Sequence, residues 1–183
     1  MVLVLIIIVV LFVLVVGAYN GLITSRNRVK NAWSQIDVQL QRRFDLIPNL
    51  VEAVKGYMKH EENVLTKVTE LRTSWANATT ASEKIDLENQ LSGVLKTIMS
   101  LSENYPELKA NQNFIELQEE LRNTEDKITY SRQFYNDSVT IYNTKLQVFP
   151  TNILANIFNF QQKELFEVDS DKVRENVKVN FNE

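Results

Sequence analysis

The chain contains no cysteine. That excludes disulfides, thiolate catalysis and lipid attachment through a cysteine, and it is compatible with a reducing compartment. There is a single histidine, His60. It sits in KHEENV, which is not HExxH because position 64 is valine, and no ExxH partner exists for a di-iron bundle site. A Ser-His-Asp triad would have to recruit His60, and nothing in its surroundings singles it out. Only four glycines and three prolines occur in 183 residues. The glycines, at 17, 21, 56 and 93, form neither a P-loop nor GxGxxG. Hairpin dipeptides and long period-2 alternation are missing, so strands are not expected. Net charge is only −3, with both signs mixed along the chain. Nucleic-acid binding is therefore not expected.

Charge is also missing from the start of the chain. All 20 Lys and Arg and all 23 Asp and Glu follow residue 25. Residues 2–16 are unbroken Val, Ile, Leu and Phe. As a helix they cover ~22 Å, short of a ~30 Å hydrocarbon core, and adding the uncharged residues 17–23 extends the span to ~33 Å. Residues 1–23 therefore read as a transmembrane anchor, with Tyr19 near the headgroups. A cleaved signal peptide is the competing reading, with Val16, Gly17 and Ala18 as its small-residue site. The apolar run begins at residue 2 without a basic leader, which favours a retained anchor.

Basic residues follow the run: Arg26, Arg28 and Lys30, then Arg42 and Arg43. Their asymmetry places the amino terminus outside and the main domain in the cytoplasm of an inner-membrane, single-pass protein. The same five residues are candidate membrane-surface contacts with anionic headgroups. For Arg42 and Arg43 the simpler reading is pairing with acids on a neighbouring helix. Gly17 and Gly21 form a GxxxG, a candidate interface between membrane helices.

Beyond the anchor the periodicity is helical. Trp33, Ile36, Leu40, Phe44, Ile47, Val51, Val54 and Met58 recur every three or four residues. After a gap at Glu61 come Leu65, Val68, Leu71 and Trp75. The phase persists across Pro48. A loop there would normally reset it, whereas a kink need not. The expectation is a helix that bends at Pro48 and runs from the membrane to about Ala76. A second helix begins after Thr80, whose spacing to Glu83 fits a capping box. It carries Leu87, Leu91, Leu95, Ile98, Leu101 and Tyr105 before Pro106 stops it. A third starts near Asn111 or Asn113 with the heptad row Phe114, Leu121, Ile128, Tyr135, Tyr142 and Phe149, and ends at Pro150. Its companion row, Leu117, Thr124, Ser131, Ser138 and Lys145, is mostly small or polar, which lets a neighbouring helix approach.

Each amphipathic stripe must be buried against another, and short connectors make neighbours antiparallel. The fold class is all-α: a transmembrane helix continuing into an antiparallel three- or four-helix up-down bundle. The bundle domain is expected over 24–160. A partly mobile tail follows over 161–183. Residues 150–160 are short and apolar, with Ile153, Leu154, Ile157 and Phe158 as a candidate interface.

Two long segments then carry a resemblance. One begins YNGLITSRNRVKNAWSQIDVQLQRRFDLIPNL. The other runs from ENYPELKANQNFIELQEEL to VFPTNILANIF. They resemble the bacterial LemA family from about Tyr19 to Phe166. The resemblance implies a membrane-anchored helical bundle without an established enzymatic activity or agreed catalytic residues, and no cofactor or metal is expected. It also implies company: related proteins occur beside membrane metalloproteases, and a similar one occurs in magnetosome membranes.

The functional expectation is a non-enzymatic scaffold or adaptor that self-assembles as a homo-oligomer or holds a partner such as a membrane metalloprotease. The alternative is lipid binding or membrane remodelling through 150–160 and the basic segment 26–43. A hydrolase built around His60 is the third.

Overall fold

The computed structural model describes residues 1–58 and 60–166. Every regular element among them is a helix: α1 (Val2–Asp45), α2 (Ile47–Lys55), α3 (Glu62–Asn77), α4 (Ala81–Ser102), α5 (Pro106–Lys109), α6 (Gln112–Gln147) and α7 (Thr151–Ile157). An apolar N-terminal helix thus continues into a helical bundle.

Pro48 stands in the first turn of α2. Its missing N–H would have had no intrahelical partner there, so the usual penalty is not incurred. Leu46, the single residue between α1 and α2, keeps right-handed helical dihedrals, φ −78° and ψ −16°. The amide of Leu50 donates to its carbonyl at 3.0 Å. The chain therefore passes Pro48 with a one-residue interruption. The longer expectation, a rod reaching about Ala76, does not hold. The helix stops at Lys55 and restarts at Glu62. Residues 59–63 contain no apolar side chain, and Gly56, the poorest helix former short of proline, opens the gap. Beyond the buried Met58, residues 59–61 offer no apolar side chain to carry the helix onward.

The chain divides into two compact units. The first comprises Met1–Arg43 and Glu120–Leu165, and the second is built on Phe44–Glu119.

In the first unit α1 and α6 run antiparallel. Arg42 pairs with Glu120, Trp33 meets Tyr135 edge-on at 5.7 Å, and Ser25 meets Lys145. The descending partner numbers set the direction. Leu22, Val29, Ala32, Ile36 and Leu40 of α1 are buried, as are Leu121, Ile128, Tyr135, Val139, Tyr142 and Leu146 of α6. The large heptad row forms the core up to Tyr142. Phe149, its last expected member, lies past the end of α6 and is 79% exposed. Thr124 and Ser138, from the small row, are buried and donate to the carbonyls four residues back, Glu120 and Phe134. That internal bonding lets hydroxyls sit in an apolar contact.

The expected tail begins at 161, yet residues 161–164 are tied to α6. Tyr142 and Tyr135 donate their hydroxyls to the carbonyls of Gln161 and Glu164, each at 3.0 Å. Asn143 donates to the Lys163 carbonyl and accepts from its amide. Burial holds both phenols above the ordinary tyrosine range, so both remain protonated donors at neutral pH. The first unit accordingly continues past residue 160. The rest of the expected tail, 167–183, lies outside the described residues.

In the second unit, α3 and α4 pack as a helical hairpin joined by residues 78–80. They bury Val68, Leu71 and Trp75 against Leu91, Leu95 and Ile98. The capping box is present in full. The Glu83 amide donates to Thr80 Oγ1 at 3.2 Å, and the Glu83 carboxylate accepts from the amides of Thr80 and Thr79. These amide donors hold the Glu83 carboxyl below its ordinary range. A depressed folded value adds stability above the unfolded pKa, about 4.3, and that stability is lost as pH falls through the folded value. Thr80→Ala should cost about 1 kcal/mol, read as a lowered denaturant midpoint. The acid-side loss of α4 amide protection should weaken in Glu83→Gln, and an unchanged acid limb would refute this role. Pro106 opens the single turn α5, with Tyr105 before it. Asn111 accepts from the Phe114 amide at 3.2 Å and so caps α6.

Candidate functional site

Residues 1–17 of α1 are bare, and protein begins to cover the helix at Ala18. Tyr19 is half-buried and Leu22 fully buried. This helix is long and apolar enough to cross a membrane, and none of its most apolar stretch is buried. No linker separates it from the bundle: the same helix supplies Leu22 through Leu40 to the first unit's core.

Its basic residues are placed in three ways. Arg26 sits over the Phe160 ring at 5.3 Å and Arg28 over the Phe134 ring at 5.4 Å. Lys30 is exposed. Arg42 donates to Glu120 at 2.7 Å, and Arg43 is 5% exposed and paired with Glu125. The guanidinium of Arg43 thus faces protein, as the simpler reading of that pair expected. A surface contact has only Arg26, Arg28, Lys30 and part of Arg42 to use.

The candidate apolar residues also divide. Leu154 is buried, 9% exposed, while Ile153, Ile157 and Phe158 are 50%, 68% and 52% exposed. Phe158 contacts Tyr19, ring centroids 4.8 Å apart, and Phe160 lies 6.1 Å from Tyr19. α7 is therefore seated where α1 first meets the bundle. At Gly17 and Gly21 nothing lies within 4 Å of where a Cβ would be, so neither glycine is needed to make room for a neighbouring group inside the chain.

Lys145 was legible only as the last member of a small, polar row. It donates to Ser25 Oγ at 2.6 Å and reaches the Gly21 carbonyl at 3.4 Å, and Ser25 in turn donates to Gly21. A half-buried ammonium thus satisfies α1 one turn below Tyr19. Such a long-range pairing leaves no signal in local spacing.

In the second unit, His60 is exposed. Glu61 accepts from the Tyr105 hydroxyl at 2.8 Å, and that bond to a carboxylate raises the phenol's pKa. Glu88 is fully buried on α4 and accepts from Ser92 at 3.2 Å. An open groove of about 1110 Å³ is lined by Val51, Met58, Leu65, Leu71 and Leu87, among others. Among the described residues no group of three or more His, Asp or Glu is placed to hold a metal.

Comparison with known proteins gives consistent results. The model of the LemA family matches residues 32–181. Protein LemA of Metamycoplasma hominis is 29% identical over 163 residues, covering 85% of this chain and 74% of the relative. Magnetosome protein MamQ 2 of Paramagnetospirillum magneticum is 23% identical over 175 residues. Magnetosome protein MamQ of Magnetospirillum gryphiswaldense is 22% identical over 174 residues. With each of these two, the match covers 81% of this chain and 64% of the relative.

Proposed function

Because this chain belongs to the LemA family, we propose that it is a membrane-anchored, non-enzymatic helical scaffold or adaptor, working by self-assembly or by holding a partner. It sits in the cytoplasmic membrane with its amino terminus outside and its bundle in the cytoplasm. One observation carries the reading. α1 is bare and apolar over its first 17 residues, then supplies Leu22, Val29, Ala32, Ile36 and Leu40 to the buried core without a linker. A flexible tether only localises a domain. A continuous helix also fixes the domain's height and orientation against the bilayer, which positioning a partner requires. Relatives named as magnetosome proteins are in keeping with a place at a membrane. A membrane metalloprotease is one partner of suitable placement.

The test is proximity labelling from a ligase fused to the full chain in living cells, compared with residues 1–25 carrying the same ligase. It is paired with the mass of the detergent-solubilised protein by light scattering. A reproducible neighbour specific to the full chain, or a mass of two or more copies, is expected. A strict monomer with the neighbours of the bare anchor would overturn the proposal.

A further inference from the structure

Two uncharged stretches meet in the first unit. On α1 no charged side chain precedes Arg26, and the bundle already covers residues 18–25 in part. These eight residues occupy ~12 Å of helix, which takes in the few ångströms of a ~30 Å hydrocarbon core that the ~26 Å of residues 1–17 leaves uncovered and a headgroup layer of ~5 to 8 Å. On the other side, residues 146–162 contain no charged side chain at all. That stretch holds the end of α6, the 148–150 turn and α7. The Tyr19–Phe158 contact brings the two together. Charge returns at their borders: Lys145 beside Ser25, Arg26 over Phe160, and Lys163.

The uncharged end is also unusually apolar on its outside. Phe149 is 79% exposed, Ile157 68%, Phe158 52%, Ile153 50% and Val148 45%. Clustered large apolar groups of this kind mark a contact surface. A soluble partner's interface would need no matching loss of charge at the foot of the anchor. A bilayer interface needs both, with aromatics at headgroup level and cations behind them.

We propose that the 148–150 turn and α7 lie in the interfacial layer of the bilayer that α1 enters. Phe149, Ile153, Ile157 and Phe158 face the acyl boundary, and Arg26 and Lys145 sit behind them. Leu154 faces the protein core and takes no part. The contact is a second foothold: α1 sets depth, and α7 stops the unit from tilting or rotating about α1. The placement depends on α1 entering the bilayer, and it stands whether or not a partner is held.

The absence of native cysteine makes the test clean. Ile157→Cys and Phe149→Cys, in the full chain in phosphatidylethanolamine/phosphatidylglycerol vesicles, carry an environment-sensitive fluorophore. Tyr130→Cys, on α6 and 73% exposed, is the reference. Labels at 157 and 149 should be blue-shifted relative to 130, quenched by doxyl groups near the lipid headgroup, and shielded from aqueous iodide. Ile157→Asp with Phe158→Asp should abolish the doxyl quenching at 149 while the chain stays in the membrane. Iodide quenching at 157 and 149 equal to that at 130 would overturn the proposal. So would shielding without doxyl quenching that falls as protein is diluted in lipid, because a second copy would then be covering the face.

Discussion

Replacing Ile8 and Leu11 by arginine is expected to move the protein from the membrane pellet to the soluble fraction. Both side chains lie in the bare part of α1, 61% and 56% exposed. Among the described residues no protein group is there to pair with a new guanidinium. Arginine at the centre of a spanning helix costs about 2.5 to 3.5 kcal/mol, so the pair costs about 5 to 7 kcal/mol. That is roughly four orders of magnitude in partition. The bundle should survive, because residues 1–17 contribute nothing to its buried core. Circular dichroism of the soluble variant should show the helix content of α2 to α7 intact. The apolar exchange Ile8→Leu with Leu11→Val should leave partition unchanged. Intact mass of the membrane-bound wild-type chain then separates a retained anchor from a cleaved leader. Only a retained anchor keeps residues 1–17 on the protein. If the double arginine variant stays in the membrane pellet, α1 is not what holds the protein there.

The parts of this structure that were legible in advance are those decided by burial at short range. Ile36, Leu40, Phe44, Ile47, Val54 and Met58 are all buried, as their spacing across Pro48 implied. The Thr80–Glu83 box depends on two side chains three residues apart and could be read directly. The break after Lys55 was not legible: the three-or-four spacing holds through Glu61, where only the apolar side chain is missing, and such a gap does not say whether a helix continues or stops. Gly56 and the apolar-free residues 59–61 account for the stop. The heptad row overran to Phe149 because a seven-residue period carries no information about where α6 ends. The placement of residues 161–164 was invisible: it rests on their backbone carbonyls meeting Tyr135, Tyr142 and Asn143. Among the candidate site residues, spacing put Ile153, Leu154, Ile157 and Phe158 together. Only the packing of α7 shows that Leu154 faces inward and the others outward. Arg43 was ambiguous for a different reason. A cation near a membrane serves a headgroup or a protein partner equally well, until the facing helix supplies Glu125.

The second unit's stability should depend most heavily on Phe44. Its ring is 1% exposed and stacks on Trp75, centroids 4.4 Å apart and planes 13° from parallel. The stack joins the last turn of α1 to the last turn of α3. Lys84, in the first turn of α4, places its ammonium 5.0 Å from the same Trp75 ring. Truncation to alanine removes apolar area, leaves a cavity and loses the aromatic pair. Phe→Ala at such a site costs about 3 to 5 kcal/mol. At about 2 to 4 °C per kcal/mol for a chain of this size, Tm falls by roughly 6 to 20 °C. Phe44→Leu keeps most of the volume and loses the stacking, worth about 0.5 to 1.5 kcal/mol beyond area, so it should fall clearly short of the alanine loss. In a Trp33→Phe background, Trp75 alone reports, and its emission should shift to the red in Phe44→Ala as water reaches the ring. Equal Tm values for the two Phe44 variants would show that the ring's volume is not what the unit packs around. An unshifted Trp75 emission in the alanine variant would show that α3 closes over the gap.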